Sequence, residues 1–129
     1  MAERAKRVLV VDDAGLVRRF YRQALEQRGF VVEEALNGIE ALERLLQGEP
    51  VDLLIVDINM PQMDGLTFVR KLRQQEMPLA ATPALITSTE SKNQDIDAAR
   101  AAGANFYLSK PVNQDTLADY ATLMCGAAP

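Results

Sequence analysis

The chain has 129 residues and a formal net charge of −4 at pH 7, which predicts one acidic domain and argues against a nucleic-acid-binding face. With no histidine and one cysteine, Cys125, it cannot form a histidine-based catalytic site, a histidine zinc site or an internal disulfide. Its N-terminus lacks the apolar stretch of a secretory signal and no apolar run is long enough to span a membrane, so we expect a cytoplasmic location.

Short apolar runs alternate five times with helical patterns, an order typical of a parallel sheet covered by helices on both faces. We therefore predict an α/β fold, a doubly wound sheet of five parallel strands with five helices and the flavodoxin-like strand order 2-1-3-4-5. The predicted strands cover residues 7–11, 31–35, 53–56, 83–86 and 105–109. Residues 1–129 are expected to form a single domain with its core at about residues 6–125.

Two helices in the second half of the chain are predicted from their apolar spacing and their boundaries. The first covers residues 93–102, is rich in alanine and weakly amphipathic, and ends at Gly103, which suits the left-handed stop of a helix. The second covers residues 114–124. Alternation along the strand between them predicts that Phe106 and Leu108 belong to the core.

Charged and polar side chains stand where four of the predicted strands end. They are Asp12, Asp13, Asp57, Thr87 and Lys110. Because the carboxyl ends of parallel strands lie at one edge of a sheet, we expect these side chains to gather there. Two like charges about 4 Å apart repel by about 4 kcal/mol at an effective dielectric near 20, so three carboxylates require a cation. Lys110 supplies one positive charge, and Mg²⁺ suits the oxygen ligands that remain.

Asp57 ends a strongly apolar strand, so its carboxylate is predicted to be partly buried and able to act as a nucleophile in forming an acyl phosphate. The chain has no P-loop and no G-x-G-x-x-G motif, so a nucleoside triphosphate is not the expected donor. The donor is then a phosphohistidine, which must belong to a partner protein, or a small energy-rich phosphate compound.

Several short motifs resemble the receiver domain of bacterial two-component response regulators, the CheY-like family. They are Asp12-Asp13, Asp57 followed by Asn59-Met60-Pro61 and Met63-Asp64-Gly65, Thr87, and Tyr107-x-x-Lys110-Pro111. They occur in the family's order and approximate spacing and cover nearly the whole chain. The resemblance implies a signalling switch rather than an enzyme, with only self-phosphorylation from a donor and autodephosphorylation expected.

The resemblance also assigns roles to individual residues. It implies that Asp57 accepts the phosphoryl group and that Lys110 and Thr87 contact that group. It implies a Mg²⁺ site, in which Mn²⁺ could substitute. The residues implied at this site are Asp13 and Asp57, the backbone carbonyl of Asn59, and Asp12 acting through metal-bound water. The peptide bond before Pro111 is implied to be cis.

The same resemblance implies how the switch works. Thr87 would move toward the phosphoryl group, and Tyr107 would change its side-chain conformation to fill the space left behind. Asn59 and Thr89 occupy positions where the family tunes dephosphorylation. The alternatives for the two switch residues are a strand-end threonine in a turn and a half-buried tyrosine packed on the sheet edge.

The sequence ends shortly after the fifth helix, so we expect no output domain and an output that works through protein binding. The implied partners are a sensor histidine kinase or histidine phosphotransfer protein, and a target that docks on the fourth helix, fifth strand and fifth helix. The pattern around Asp12 and Asn59 resembles the chemotaxis-type stand-alone regulators more than the relay type. Neither nucleic-acid binding nor membrane insertion is expected.

Other functions stay open at this stage. A phosphorelay shuttle or phosphate sink would return the phosphoryl group from Asp57 to a histidine without an output partner of its own. A Mg²⁺-dependent phosphohydrolase is disfavoured because no D-x-D-x-[TV] motif follows the first strand. FMN binding is disfavoured because two acids stand where a phosphate cradle is needed.

Overall fold

The computed structural model describes residues 4–90 and 92–126, and within them five strands and five α-helices alternate along the chain. The elements are β1 Arg7–Val11, α1 Gly15–Glu26, β2 Val31–Ala35, α2 Gly38–Gln47, β3 Leu53–Asp57, α3 Gly65–Arg73, β4 Ala84–Ser88, α4 Asn93–Ala102, β5 Phe106–Ser109 and α5 Gln114–Met124. A short 3₁₀ turn, Leu79–Ala81, precedes β4. No helix in these described residues is long and apolar enough to cross a membrane.

All neighbouring strands run parallel, in the order β2-β1-β3-β4-β5. This confirms the predicted fold class and the predicted strand order. The strands β3 and β4 run further than predicted, so that Asp57 and Thr87 lie within the sheet as register partners. Since β1 and β3 are adjacent, the loop after β1 opens beside the end of β3, which is the switch point of the topology.

The sheet separates two apolar cores, and this explains why the central strands are apolar at successive positions. One core lies between the sheet and the helices α2, α3 and α4, and the other between the sheet and the helices α1 and α5. Fully buried strand residues of the first core include Leu54, Val56 and Ile86. Those of the second include Val8, Val10, Ile55 and Leu85. The buried strands therefore form a fixed platform for the side chains at their ends.

Side-chain caps begin three of the helices. The side-chain oxygens of Asn37, Asp64 and Asn113 each accept a hydrogen bond from the backbone three residues on, at the starts of α2, α3 and α5. The helix α4 has no such cap and buries little more than Ala99 and Ala102, which agrees with the weak amphipathic pattern. The weakest packing among the helices thus falls on α4, next to the edge strand β5.

The prediction that Phe106 and Leu108 belong to the core is wrong for Phe106. This side chain is 50% exposed, and its ring lies 5.4 Å from that of Tyr120 in α5. The strand β5 is an edge strand of four residues, so helices cover it incompletely and its alternation does not decide burial. Leu108, further along the strand, is partly buried against the core beneath α1 and α5.

Candidate functional site at the carboxyl edge of the sheet

Lys110 joins two carboxylates at the carboxyl edge of the sheet. Its Nζ lies 3.0 Å from Asp12 Oδ2 and 3.0 Å from Asp57 Oδ1. Lys110 follows β5 and therefore reaches past the end of β4 to contact residues of β3 and the β1–α1 loop. Its backbone is held there because Lys110 N donates to Ser88 O at 2.7 Å. The bond from Lys110 to Pro111 is cis, which confirms that expectation.

Three carboxylates gather around this lysine. One oxygen from each of Asp12, Asp13 and Asp57 lies within 4.8 Å of the others. Asp12 and Asp57 are only 1% and 6% exposed, whereas Asp13 is exposed to solvent. Carboxylate oxygens at this spacing are the ligands that Mg²⁺ prefers, and one ammonium does not balance three negative charges. The residues present therefore fit a divalent cation.

The local charges shift the pKa of two of these groups in ways that have physical causes. Burial raises the pKa of Asp57, Lys110 lowers it, and the neighbouring charges of Asp12 and Asp13 raise it further, so the net pKa is raised. Burial lowers the pKa of Lys110, but its contacts with Asp12 and Asp57 outweigh burial and the net pKa is raised. Lys110 is therefore charged at neutral pH, while the ionised form of Asp57 carries an energetic cost.

Thr87 is fully buried beside Asp57, yet its hydroxyl has no hydrogen-bond partner among the described residues. A buried polar group without a partner costs about 1–3 kcal/mol, and such groups are rare in folded proteins. The two residues sit on adjacent strands in register, so the hydroxyl is available to an acceptor that arrives at the Asp57 carboxylate.

The other sequence-predicted residues lie around the rim. Tyr107 is half-buried, and its hydroxyl donates to Glu90 O. It lines a cavity of about 250 Å³ between α4 and β5. Thr89 lines a second cavity of about 470 Å³ between α1 and the loop after β5, together with Lys110. Asn59 is exposed in the loop after β3, and a ligand role for its carbonyl stays a prediction.

Tyr21 of α1 also lies at this edge of the sheet. It is buried and lines the larger cavity beside Lys110. Burial raises the pKa of Tyr21, and the nearby charges of Lys110 and Asp12 act in opposite directions. Thr87 also lowers this pKa, although the two hydroxyls do not reach hydrogen-bond geometry. No motif identifies Tyr21, because its proximity depends on how α1 packs on the sheet.

Gly65 lets the start of α3 pack closely against the end of β3. A side-chain Cβ at this position would lie 2.3 Å from Asp57 O, which no side chain tolerates. Its amide donates to Ile58 O at 2.9 Å, so the loop between β3 and α3 is closed by a backbone bond. The glycine therefore allows the helix to approach the backbone of Asp57.

A doubly wound sheet of this order, with an acidic cluster and a lysine at its carboxyl edge, defines a CheY-like receiver domain. Residues 8–122 match the sequence model of the response regulator receiver domain. A chemotaxis protein CheY homolog from Campylobacter jejuni (strain ATCC 700819 / NCTC 11168) is 38% identical over 112 residues, covering 86% of this chain and 85% of the relative.

Solved structures of response regulators are also similar to this chain. The chemotaxis response regulator CheY4 of Vibrio cholerae is 34% identical with a TM-score of 0.86, covering 94% of this chain and 99% of that one. A putative response regulator from Chloroflexus aurantiacus J-10-fl is 31% identical with a TM-score of 0.87, covering 95% and 99%. The chain belongs to the response regulator receiver domain family of two-component signalling.

Proposed function

We propose that this receiver domain is a phosphorylation switch in which Asp57 accepts a phosphoryl group from a partner phosphohistidine. The observation that carries the proposal is the arrangement around Asp57. Lys110 contacts one of its oxygens at 3.0 Å, and the unpartnered hydroxyl of Thr87 stands on the adjacent strand in register. A phosphoryl group on Asp57 brings acceptor oxygens to both donors.

A divalent cation, Mg²⁺ or Mn²⁺, belongs to this proposal because of the charge on the acidic cluster. Asp12, Asp13 and Asp57 would hold it, with the backbone carbonyl of Asn59 as a further ligand. When bound, the cation would offset carboxylate repulsion and the charge of the incoming phosphoryl oxygens. The exposed position of Asp13 keeps the cluster open to solvent on one side, which suits an ion that retains waters.

In the transfer step, an oxygen of the Asp57 carboxylate attacks phosphorus, an oxygen–phosphorus bond forms, and the phosphorus–nitrogen bond of the donor breaks. The departing imidazole keeps the electron pair of that bond and leaves neutral, because its other nitrogen already carries a proton. Lys110 stabilises the negative charge on the phosphoryl oxygens, and burial of Asp57 excludes water from its inner side.

The structural change caused by phosphorylation would then pass from Thr87 to Tyr107. Donation from the Thr87 hydroxyl to a phosphoryl oxygen removes the cost of its unpartnered state. Tyr107 has room to move because the cavity beside it, about 250 Å³, lies between the weakly packed α4 and the edge strand β5. A change there alters the face of α4, β5 and α5, where the exposed Phe106 offers an apolar contact for a target protein.

The relatives support a chemotaxis-type role. The match with the CheY homolog covers comparable shares of both chains, 86% and 85%. We therefore propose that residues 1–129 act as one receiver domain whose output is carried by its own surface, through binding to a motility or chemotaxis target. The expected partners are a histidine kinase or phosphotransfer protein on the donor side and this target on the output side.

Intact-mass spectrometry after incubation with Mg²⁺ and a small phosphodonor tests the acceptor. We expect one phosphoryl adduct on the wild type and none on Asp57→Asn. Asp97→Asn is the matched control, because it removes the same charge from an exposed position on α4 and should keep the adduct. A stoichiometric adduct on Asp57→Asn would overturn the assignment, and so would an unlabelled wild type in the presence of Mg²⁺ and donor.

A further inference from the structure

Arg18 of α1 contacts the backbone of the acidic cluster from outside. Its Nη1 donates to Asp12 O at 2.6 Å, and its Nε donates to Glu34 Oε1 in β2 at 2.9 Å. The side chain of Arg18 is only 14% exposed, so both bonds are shielded from water. One guanidinium therefore ties the β1–α1 loop to the edge strand β2.

Glu34 is itself held on both of its oxygens. Arg22 Nε donates to Glu34 Oε2 at 2.8 Å, and Arg22 Nη2 donates to Val32 O at 2.9 Å. Burial raises the pKa of Glu34, but its bonds to Arg18 and Arg22 outweigh burial and leave the pKa lowered. The carboxylate is therefore ionised at neutral pH and keeps Arg18 in one orientation.

The contact with Asp12 O matters because few bonds hold this loop. Besides the contact of Lys110 Nζ with Asp12 Oδ2, Asp12 N donates to Ala35 O at 3.2 Å, and Ala14 N donates to Asp12 Oδ1 at 2.9 Å. Asp13 is exposed, and no hydrogen bond or ion pair of its side chain is found within residues 4–90 and 92–126. The direction of the Asp13 side chain therefore depends on its backbone, which begins at the carbonyl held by Arg18.

Charge alone does not explain an arginine at this position. A positive group near a cation site repels the cation, so Arg18 would weaken Mg²⁺ binding if its charge were its main effect. Glu34 offsets that charge, and the guanidinium uses its fork to join two acceptors. Mg²⁺ demands near-octahedral geometry. A site whose ligands are already held in place therefore binds the ion more tightly than a site whose ligands must be ordered on binding.

We propose that Arg18 is a positioning residue for the divalent-cation site, fixing the Asp12–Asp13 backbone, and that Glu34 anchors Arg18 and offsets its charge. The inference rests on the proposed function, since it takes Asp12, Asp13 and Asp57 as the cation site. Loss of a group that orients metal ligands typically lowers metal affinity about 10-fold or more.

The test is an NMR titration of the purified protein with Mg²⁺, following backbone amides. We expect Arg18→Gln to weaken Mg²⁺ binding about 10-fold, whereas a charge effect alone would strengthen it. Arg19→Gln is the matched control, because it removes the same charge from the next, exposed residue of α1 and should leave affinity unchanged or slightly higher. Unchanged or tighter binding by Arg18→Gln would overturn the proposal.

Two further variants separate position from charge and from folding. Arg18→Gln combined with Glu34→Gln leaves the net charge unchanged and should still weaken binding about 10-fold. Arg18→Lys keeps the charge, but one ammonium lacks the planar fork that joins both acceptors, so a smaller loss is expected. Wild-type Mg²⁺ affinity in either variant would contradict the positioning role of Arg18. If Arg18→Gln does not fold, Arg18→Lys provides the test.

Hydrogen exchange without metal distinguishes failure of this inference from failure of the proposed function. Exchange of the Ala14 amide, which bonds to Asp12, should be faster in Arg18→Gln and unchanged in Arg19→Gln. If the wild type shows no Mg²⁺ binding at the acidic cluster, the proposed cation site fails. Equal Ala14 exchange in Arg18→Gln and the wild type would instead show that Arg18 does not hold the loop.

Discussion

At the amino end of the sheet the cation Arg73 is surrounded by neutral oxygen acceptors, whereas at the carboxyl end Lys110 lies between two carboxylates. Arg73, the last residue of α3, makes five hydrogen bonds. Its acceptors are Ala80 O, Thr82 O, Gly103 O, which it contacts twice, and Asn105 Oδ1, at 2.6–3.0 Å. These bonds join the end of α3 to the segments that lead into β4 and β5.

The carboxyl end is arranged in the opposite way. Asp12, Asp13 and Asp57 outnumber Lys110 in charge, and the Thr87 hydroxyl lacks a partner among the described residues. A half-buried cation whose donors are all used, like Arg73, contributes to a single stable arrangement. A site with surplus charge and an unused donor is instead stabilised by what binds to it. The same sheet therefore has a cation with all its hydrogen bonds made at one end, and surplus negative charge beside an unused donor at the other.

The largest effect is expected from breaking the amino end. Arg73→Met keeps much of the aliphatic stem but leaves several carbonyl oxygens without their donor, so the free energy of unfolding should fall by about 2–3 kcal/mol. Urea unfolding measures this loss. Arg100→Met, on the exposed surface of α4, should change stability by less than about 0.5 kcal/mol. A loss in Arg73→Met as small as that of Arg100→Met would show that the amino end is not fixed by this residue.

A gain of stability is expected at the other end. Without Mg²⁺ at pH 7, Asp57→Asn should raise the free energy of unfolding on the order of 1 kcal/mol, part of the roughly 4 kcal/mol repulsion between like charges about 4 Å apart. Because the pKa of Asp57 is raised in the folded protein, the wild type regains stability as pH falls through that pKa.

The advantage of Asp57→Asn should therefore shrink as the pH approaches about 4, the pKa of an unfolded aspartate. Urea unfolding at several pH values measures the trend, with Asp97→Asn as the exposed control. If Asp57→Asn is less stable than the wild type at pH 7, the attraction of Asp57 to Lys110 outweighs the repulsion among the carboxylates. The carboxyl end would then not be destabilised by its surplus charge.

The smallest effect is expected from Thr87→Val. Removing a buried hydroxyl that has no partner should leave stability unchanged or raise it by about 0.5 kcal/mol. Thr122→Val is the matched control, because the Thr122 hydroxyl donates to Ala118 O at 2.8 Å and its loss should cost about 1 kcal/mol. If urea unfolding shows equal losses in the free energy of unfolding for both variants, the Thr87 hydroxyl already has a hydrogen-bond partner.

Sequence reasoning reached the fold and the centre of the site because both follow from periodic patterns and topology. The bounds of α4 and α5 agree with the prediction, and Asp12, Asp57 and Lys110 meet because strand ends converge in a parallel sheet. The exposure of Phe106 was missed because burial at an edge strand depends on how far the neighbouring helices extend.

The supporting contacts were also missed, for a different reason. Arg18 and Glu34 are 16 residues apart, and their contact depends on the register of β2 and on side-chain conformations that no sequence pattern encodes. Tyr21 has the spacing of an ordinary core residue, and only the packing of α1 places it beside Lys110. The convergence of these side chains at one edge of the sheet was therefore predictable, whereas the contacts around them were not.

The strand order also bears on how copies of this protein behave at high concentration. The order leaves β2 and β5 at the sheet edges, where exposed backbone groups invite pairing with another molecule. Glu33 and Glu34 place two charges on β2, and β5 has only four residues and is followed by Pro111, which has no amide hydrogen to donate. Both edges thereby disfavour intermolecular strand pairing, which protects the protein against aggregation through its sheet.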